Sequence, residues 1–212
     1  MKKNTMAKLN ILLLLLLSFL YMLDISQSAT DSNPEATYFI KAECRATRYR
    51  ALCVQCLSNY TSTIQQSKQK LAHTALLVSL TRAQSSSTFV SRLGRMKGMK
   101  PKEYLAVKDC IQNMGDSVDQ LSRSMKELGL MGQVASGDFD WHVSNVQTWV
   151  SAALTNENTC QDGFTGSAMD GNVKVAIRRR VLNCAQVTSI ALALVNRFAE
   201  TARHKVGSDS LG

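Results

Sequence analysis

Six cysteines are the residues of this 212-residue chain whose type and spacing offer chemistry most directly. Cys53 and Cys56 form a Cys-x-x-Cys pair, which is a redox centre when a strand-helix-strand unit presents it with a lowered thiol pKa. No such pattern surrounds it, so one of the two is expected to pair with Cys44 and the other to be a spare thiol one helical turn away. Cys44 and Cys53 are close in sequence, Cys110 and Cys160 flank two long helical patterns, and Cys56 and Cys184 are left over, although many pairings are open to six cysteines. Cys184 falls on an apolar stripe and reads as a small buried hydrophobe. His73, His142 and His204 are scattered, with no pair at metal-ligand spacing, and neither a Gly-x-Ser-x-Gly elbow nor a phosphate-cradling glycine loop occurs. The histidines therefore read as surface or packing residues. Asp138 and Asp140 sit at a helix start, where acids are expected for capping rather than for acid–base work. The chain reads as a non-enzyme with no catalytic residues, no metal and no cofactor.

Charge offers binding instead. Asp109, Gln112, Asp116 and Asp119 recur at steps of three and four, which places them on one outward row of a helix: an acidic face that reads first as solvated surface and, as the alternative, as a surface that meets a basic partner. Arg178, Arg179 and Arg180 are the one dense basic run, and inside a helical pattern they read as a solvated face.

The start of the chain sets the compartment. Lys2, Lys3 and Lys8 precede the apolar run Ile11 to Leu23, and thirteen residues are too few to cross about 30 Å of hydrocarbon with margin. Residues 1–29 therefore read as a signal peptide, cut near the small residues Ser26, Ser28 and Ala29. No later stretch is expected to span a membrane. Loss of residues 1–29 removes three lysines and Asp24, lowering the excess of basic groups from nine to seven. In an extracellular setting such a charge points to polyanionic polysaccharide and membrane surfaces before nucleic acid. The oxidising compartment also favours bridged cysteines, and it exposes the sequon Asn59-Tyr60-Thr61 to glycosylation at Asn59.

The elements that must position these residues are helices. Residues 30–37 are polar and read as a flexible lead-in, 38–205 as one domain, and 206–212 as a flexible tail. Tyr104, Val107, Ile111, Met114, Val118, Leu121, Met125 and Leu128 form one stripe at steps of three and four, with Pro101 in the first turn and Gly129 as a stop. Val173, Ile177, Val181, Cys184, Thr188, Ala191, Val195 and Phe198 form another. Phe139, Val143, Val146, Val150 and Ala153 mark a shorter helix capped by Ser136 or Asp138, and Ser62 to Arg95, with Ile64, Leu71 and Val78 inside, marks a fourth. Four amphipathic helices bury their stripes most simply as a bundle, leaving residues 36–60 as a cysteine-pinned helical extension.

The stretch Cys44-Arg-Ala-Thr47-Arg-Tyr49-Arg-Ala-Leu52-Cys53 resembles the opening of the plant invertase and pectin methylesterase inhibitor family, whose members share a cysteine pair around a Thr and a Tyr. The likeness continues in Lys108-Asp109-Cys110 and from Thr148-Trp149-Val150 through Thr159-Cys160-Gln161-Asp162-Gly163-Phe164, and spans residues 36–204. It implies an all-α fold, an antiparallel four-helix bundle preceded by a short disulfide-pinned helical hairpin, with bridges Cys44–Cys53 and Cys110–Cys160 and free thiols at Cys56 and Cys184. Arg50 stands where the family usually has proline, which predicts a looser hairpin turn.

Invertase inhibitors of the family tend to carry Pro-Lys-Phe after the fourth shared cysteine, and residues 161–175 hold no proline. Thr159 to Phe164 is instead similar to pectin methylesterase inhibitors and to the pro-regions of the esterases. A chain ending at Gly212 is expected to be the free-standing inhibitor. The resemblance thus implies a protein secreted to the apoplast and cell wall that binds pectin methylesterase and occludes its cleft, with Asp116, Asp119 and Thr159 as contact residues. Acid invertase is the alternative target, and a non-inhibitory extracellular binding module is the alternative role. Neither nucleic acid nor, after signal cleavage, a membrane is an expected partner, whereas weak association with acidic pectin is.

Overall fold

Helix α1 spans Pro34–Cys44 and opens on its proline, whose missing N–H costs nothing in a first turn. It therefore begins inside the segment 30–37 read as a lead-in. The computed structural model describes residues 34–131, 138–166 and 171–209. The signal segment 1–29 and Ser136 lie outside the described residues. After α1 come α2 (Arg50–Leu57), a 3-10 turn (Ser58–Tyr60), α3 (Thr61–Ile64), α4 (Lys68–Leu93), α5 (Pro101–Leu130), α6 (Phe139–Asp162) and α7 (Asn172–Asp209). Among the described residues there is no strand.

α1 and α2 form the hairpin. Thr47 is buried in its turn and donates its hydroxyl to the Cys44 carbonyl at 2.9 Å, while Tyr49 packs against the core. At Arg50, where the sequence predicts a looser turn, α2 starts, and the Cys53 N–H reaches the Tyr49 carbonyl at 2.9 Å. A first helical residue needs no N–H partner within the helix, so arginine replaces proline there without losing a bond. Glu43 docks the hairpin on the bundle. Its carboxylate accepts from Arg197 Nε at 2.7 Å and lies 3.7 Å from Lys68 Nζ. The bond to Glu43 holds the Arg197 guanidinium above its ordinary pKa.

The segment expected as one helix over Ser62 to Arg95 is broken. Gln65 takes φ 54°, ending α3, and Ser67 then caps α4 by accepting from the Lys70 N–H at 3.3 Å. Ile64 and Leu71 are both buried on either side, so the seven-residue apolar step survives the break and hides it.

Bonds between neighbours give the topology of the bundle. Between α5 and α6 the partners are 110 with 160, 117 with 157, and 127 with 142; between α4 and α7 they are 68 with 201, 79 with 188, and 85 with 180. Between α6 and α7, 147 meets 196 and 140 meets 203. One number falls as the other rises, so these seams are antiparallel. The close approach of Gly94 to Val107 and Ile111 folds α5 back along α4 and closes an up-down-up-down ring.

The buried line of α5 is not the expected stripe. Val107, Met114, Leu121 and Leu128 are buried, but Ile111, Val118 and Met125 are half-buried and Tyr104 is 49% exposed. The innermost positions include Cys110, Ser117 and Ser124, whose small side chains let the neighbouring helices come near. Gly129 does not stop α5, which continues to Leu130. Asp138 occupies the N-cap position of α6 but makes no side-chain capping bond. α7 is, against expectation, long and apolar enough by length and composition to cross a membrane. Its apolarity has a local reason: Ile177, Val181, Val187, Ile190, Leu194 and Val195 are buried within the core. α7 also runs to Asp209, beyond the domain end expected at residue 205.

Candidate partner-binding face

The outward row of α5 is as the spacing predicts: Asp109, Gln112, Asp116 and Asp119 are all exposed. Among the described residues, no Lys, Arg or His nitrogen lies within 4.0 Å of these carboxylates. Exposed Lys108, Arg123 and Lys126 flank them, so α5 is acidic only over its middle. Leu105, one turn before Asp109 on the same row, is 58% exposed. Its exposure could have been read from the sequence, since it lies off the apolar stripe at a four-residue step from Asp109. Thr159 is exposed on α6, where its hydroxyl donates to the Thr155 carbonyl at 2.9 Å and its oxygen stays free to accept. The Cys110–Cys160 bridge and the bond from Ser117 to Glu157 bracket Thr159. It therefore stands on α6 level with the first half of the acidic row.

The bridge that sets this level has its Cα atoms 4.4 Å apart; in the hairpin bridge, Cys44–Cys53, they are 5.7 Å apart. Cys56 and Cys184 are free. Cys56 is half-buried and burial raises its thiol pKa, with Arg82 pulling it back in part. Cys184 is buried, and burial followed by the adjoining Glu157 charge pushes its thiol far above the ordinary range.

Behind the face lies a polar layer that the sequence reading missed. Glu157 is fully buried, and its Oε1 accepts from Ser117 Oγ at 2.7 Å, Thr188 Oγ1 at 3.0 Å and Cys184 Sγ at 3.3 Å. Ser79 Oγ lies 2.8 Å from Thr188 Oγ1, so α4, α5, α6 and α7 each contribute a side chain. Glu157 Oε2 is buried without a partner. Burial raises the carboxyl's pKa, against the opposing pull of the bonds from Ser117, Thr188 and Cys184. A signal was present, because Val150, Ala153, Glu157 and Cys160 continue the buried stripe of α6.

The remaining candidates are dispersed. His73 and His204 are exposed, while His142 is buried with Nδ1 2.8 Å from Glu127 Oε1, which also accepts from Asn145 at 2.9 Å. Asp140 pairs with Arg203 at 2.7 Å. Among the described residues no three His, Cys, Asp or Glu side chains gather as a metal site. Asn59 is exposed in the 3-10 turn, and Arg178, Arg179 and Arg180 are exposed on α7.

Residues 38–194 match the plant invertase/pectin methylesterase inhibitor family. The chain belongs to that family. It is 54% identical over 178 residues to pectinesterase inhibitor 9 of Arabidopsis thaliana, covering 82% of this chain and 87% of that protein. It is 50% identical over 177 residues to a 21 kDa protein of Daucus carota, covering 84% and 91%. Among solved structures, a mutant form of an Arabidopsis pectin methylesterase inhibitor superposes with a TM-score of 0.58 at 20% identity, over 72% of this chain and 92% of that one. That likeness speaks for the fold.

Proposed function

We propose that this family member is a secreted inhibitor of pectin methylesterase that binds the enzyme reversibly and in fixed stoichiometry. The observation that carries the reading is the 54% identity, across most of both chains, to a protein named for pectinesterase inhibition. The outer surface of the bundle would cover the enzyme's substrate cleft and keep pectin out. Asp116 and Asp119 are unpaired carboxylates on a rigid helix, suited to meet basic groups without reordering. Leu105 adds an apolar anchor at one end of the row, and Thr159 offers a hydroxyl from the neighbouring helix. The chemistry asked of the protein is recognition, so no cofactor is needed. Residues 1–29 would export it to the apoplast and be removed.

Titrating the purified mature protein separately against a pectin methylesterase and an acid invertase tests the target. Loss of esterase activity that saturates at a fixed molar ratio is expected. Inhibition of invertase alone would replace the proposed target, and inhibition of neither would leave a non-inhibitory binding module.

A further inference from the structure

On the seam between α4 and α7, Arg82, Ser85 and Phe89 on the one helix face Arg179, Arg180 and Asn183 on the other across an open groove of about 690 Å³. The groove continues into a second, of about 710 Å³, that shares Arg82, Ser85 and Asn183 and runs toward Tyr60. Among the described residues no carboxylate lines either one. Among the described residues, Arg82, Arg179 and Arg180 have no acidic partner within 4.0 Å. Three arginines thus line one concavity without an ion-pair partner among the described residues.

Arg180 is nonetheless held in place. Its Nη2 donates to Ser85 Oγ at 2.8 Å, and its guanidinium lies over the Phe89 ring, 4.9 Å from the centroid. Among the described residues its other N–H groups have no further partner, and they form the planar fork that fits a carboxylate with two parallel bonds. Beside the arginines the lining is neutral and hydrogen-bonding, with Ser85 and Asn183 able to meet hydroxyls. Of the basic run on α7, Arg179 and Arg180 line the groove and Arg178 does not.

The geometry points to a binding site for a carboxylated oligosaccharide along this groove, with Arg82, Arg179 and Arg180 taking successive carboxylates. Two adjoining grooves that share Arg82, Ser85 and Asn183 suit a run of linked sugars rather than one compact ligand. The choice of polyuronate rests on the proposed function, since a pectin methylesterase converts neutral esters into uronate carboxylates. A protein that holds those carboxylates is retained where the enzyme has been at work. The acidic row of α5 is left free, because α5 neighbours α4 and α6 in the ring and is diagonal to α7.

Calorimetric titration with a de-esterified galacturonate oligomer, without esterase and at low salt, tests the site against a fully methyl-esterified oligomer of the same length. The acid form should bind and the ester should not. Arg82→Gln with Arg179→Gln should weaken binding at least about tenfold, as expected when charge-assisted bonds are lost. Lys108→Gln with Lys126→Gln removes equal charge from α5, diagonal to α7, and should cost less than about threefold, as screening dictates for a charge outside the groove. Equal losses in the two pairs, equal binding of the ester, or no binding would overturn the proposal. Esterase inhibition by the Arg82/Arg179 variant should match wild type; its loss would make the groove an enzyme contact and sink the saccharide site. Oligomer binding by a protein that inhibits no esterase would uphold the site while removing the proposed target.

Discussion

Asp116 and Asp119 stand exposed and unpaired on α5, so neutralising them removes attraction toward a partner without removing a contact the fold uses. Asp116→Asn with Asp119→Asn should weaken esterase inhibition by about 1 to 4 kcal/mol, the spread reflecting rim against desolvated pairs. Melting should change by less than about 0.5 kcal/mol. A double mutant that folds and inhibits like wild type at low salt would move the contact to another helix. Glu157 makes a different prediction. Its raised pKa means that the fold holds this proton more tightly than the unfolded chain does. Its contribution is therefore fully present below the ordinary carboxylate pKa and is lost as pH rises through the raised folded value. Wild-type Tm should accordingly fall more than that of Glu157→Gln between pH of about 4.5 and about 7.5, and parallel curves would refute the assignment. The free thiols follow burial: a thiol reagent should label Cys56 slowly in the native protein and Cys184 only after unfolding, as peptide mapping would show.

At the scale of elements, the two bridges differ in the chain they close. Chain-entropy estimates give about 4 kcal/mol for the loop of 50 residues and about 2.7 kcal/mol for the loop of nine. Replacing Cys110 and Cys160 by Ser should therefore lower the denaturant midpoint more than replacing Cys44 and Cys53, and the reverse order would contradict that picture. Gln65 offers the opposite sign. A non-glycine residue at φ 54° and ψ −122° carries strain of roughly 1 to 3 kcal/mol, so Gln65→Gly should raise Tm despite losing the bond from Lys70. The order of the four long bundle helices was legible in the sequence because the apolar steps of three and four persist for many turns. The break at Gln65 was not, since Ile64 and Leu71 keep their step across it. The inner line of α5 was misplaced because Cys110, Ser117 and Ser124 are small and give little hydrophobic signal. The outward acidic row could be read from its own helix alone. The polar layer could not, because Glu157 finds its partners 27 to 40 residues away in sequence.

Taken whole, the molecule is basic, yet the proposed contact row is acidic, so the net charge opposes the approach of a basic partner that the row itself favours. Raising salt should weaken the wild-type complex more than that of the Asp116/Asp119 double mutant, because exposed attraction is screened over about 8 Å at physiological ionic strength. Equal salt slopes in enzyme titrations would rule out an electrostatic role for the row. The layer around Glu157 has a consequence of another kind, for how the chain finds this arrangement. Aliphatic stripes repeat, and a helix slid by one turn along its neighbours would still bury leucine and valine. Glu157 does not repeat. In a slipped bundle its carboxyl would leave Ser117 and Thr188 and lie against hydrocarbon, an orphaned group whose cost is of the order of several kcal/mol. The layer is therefore a lock on helix alignment: off-register compact states lose the hydroxyls that meet Glu157 Oε1, and search among them ends where all four helices meet at the same level.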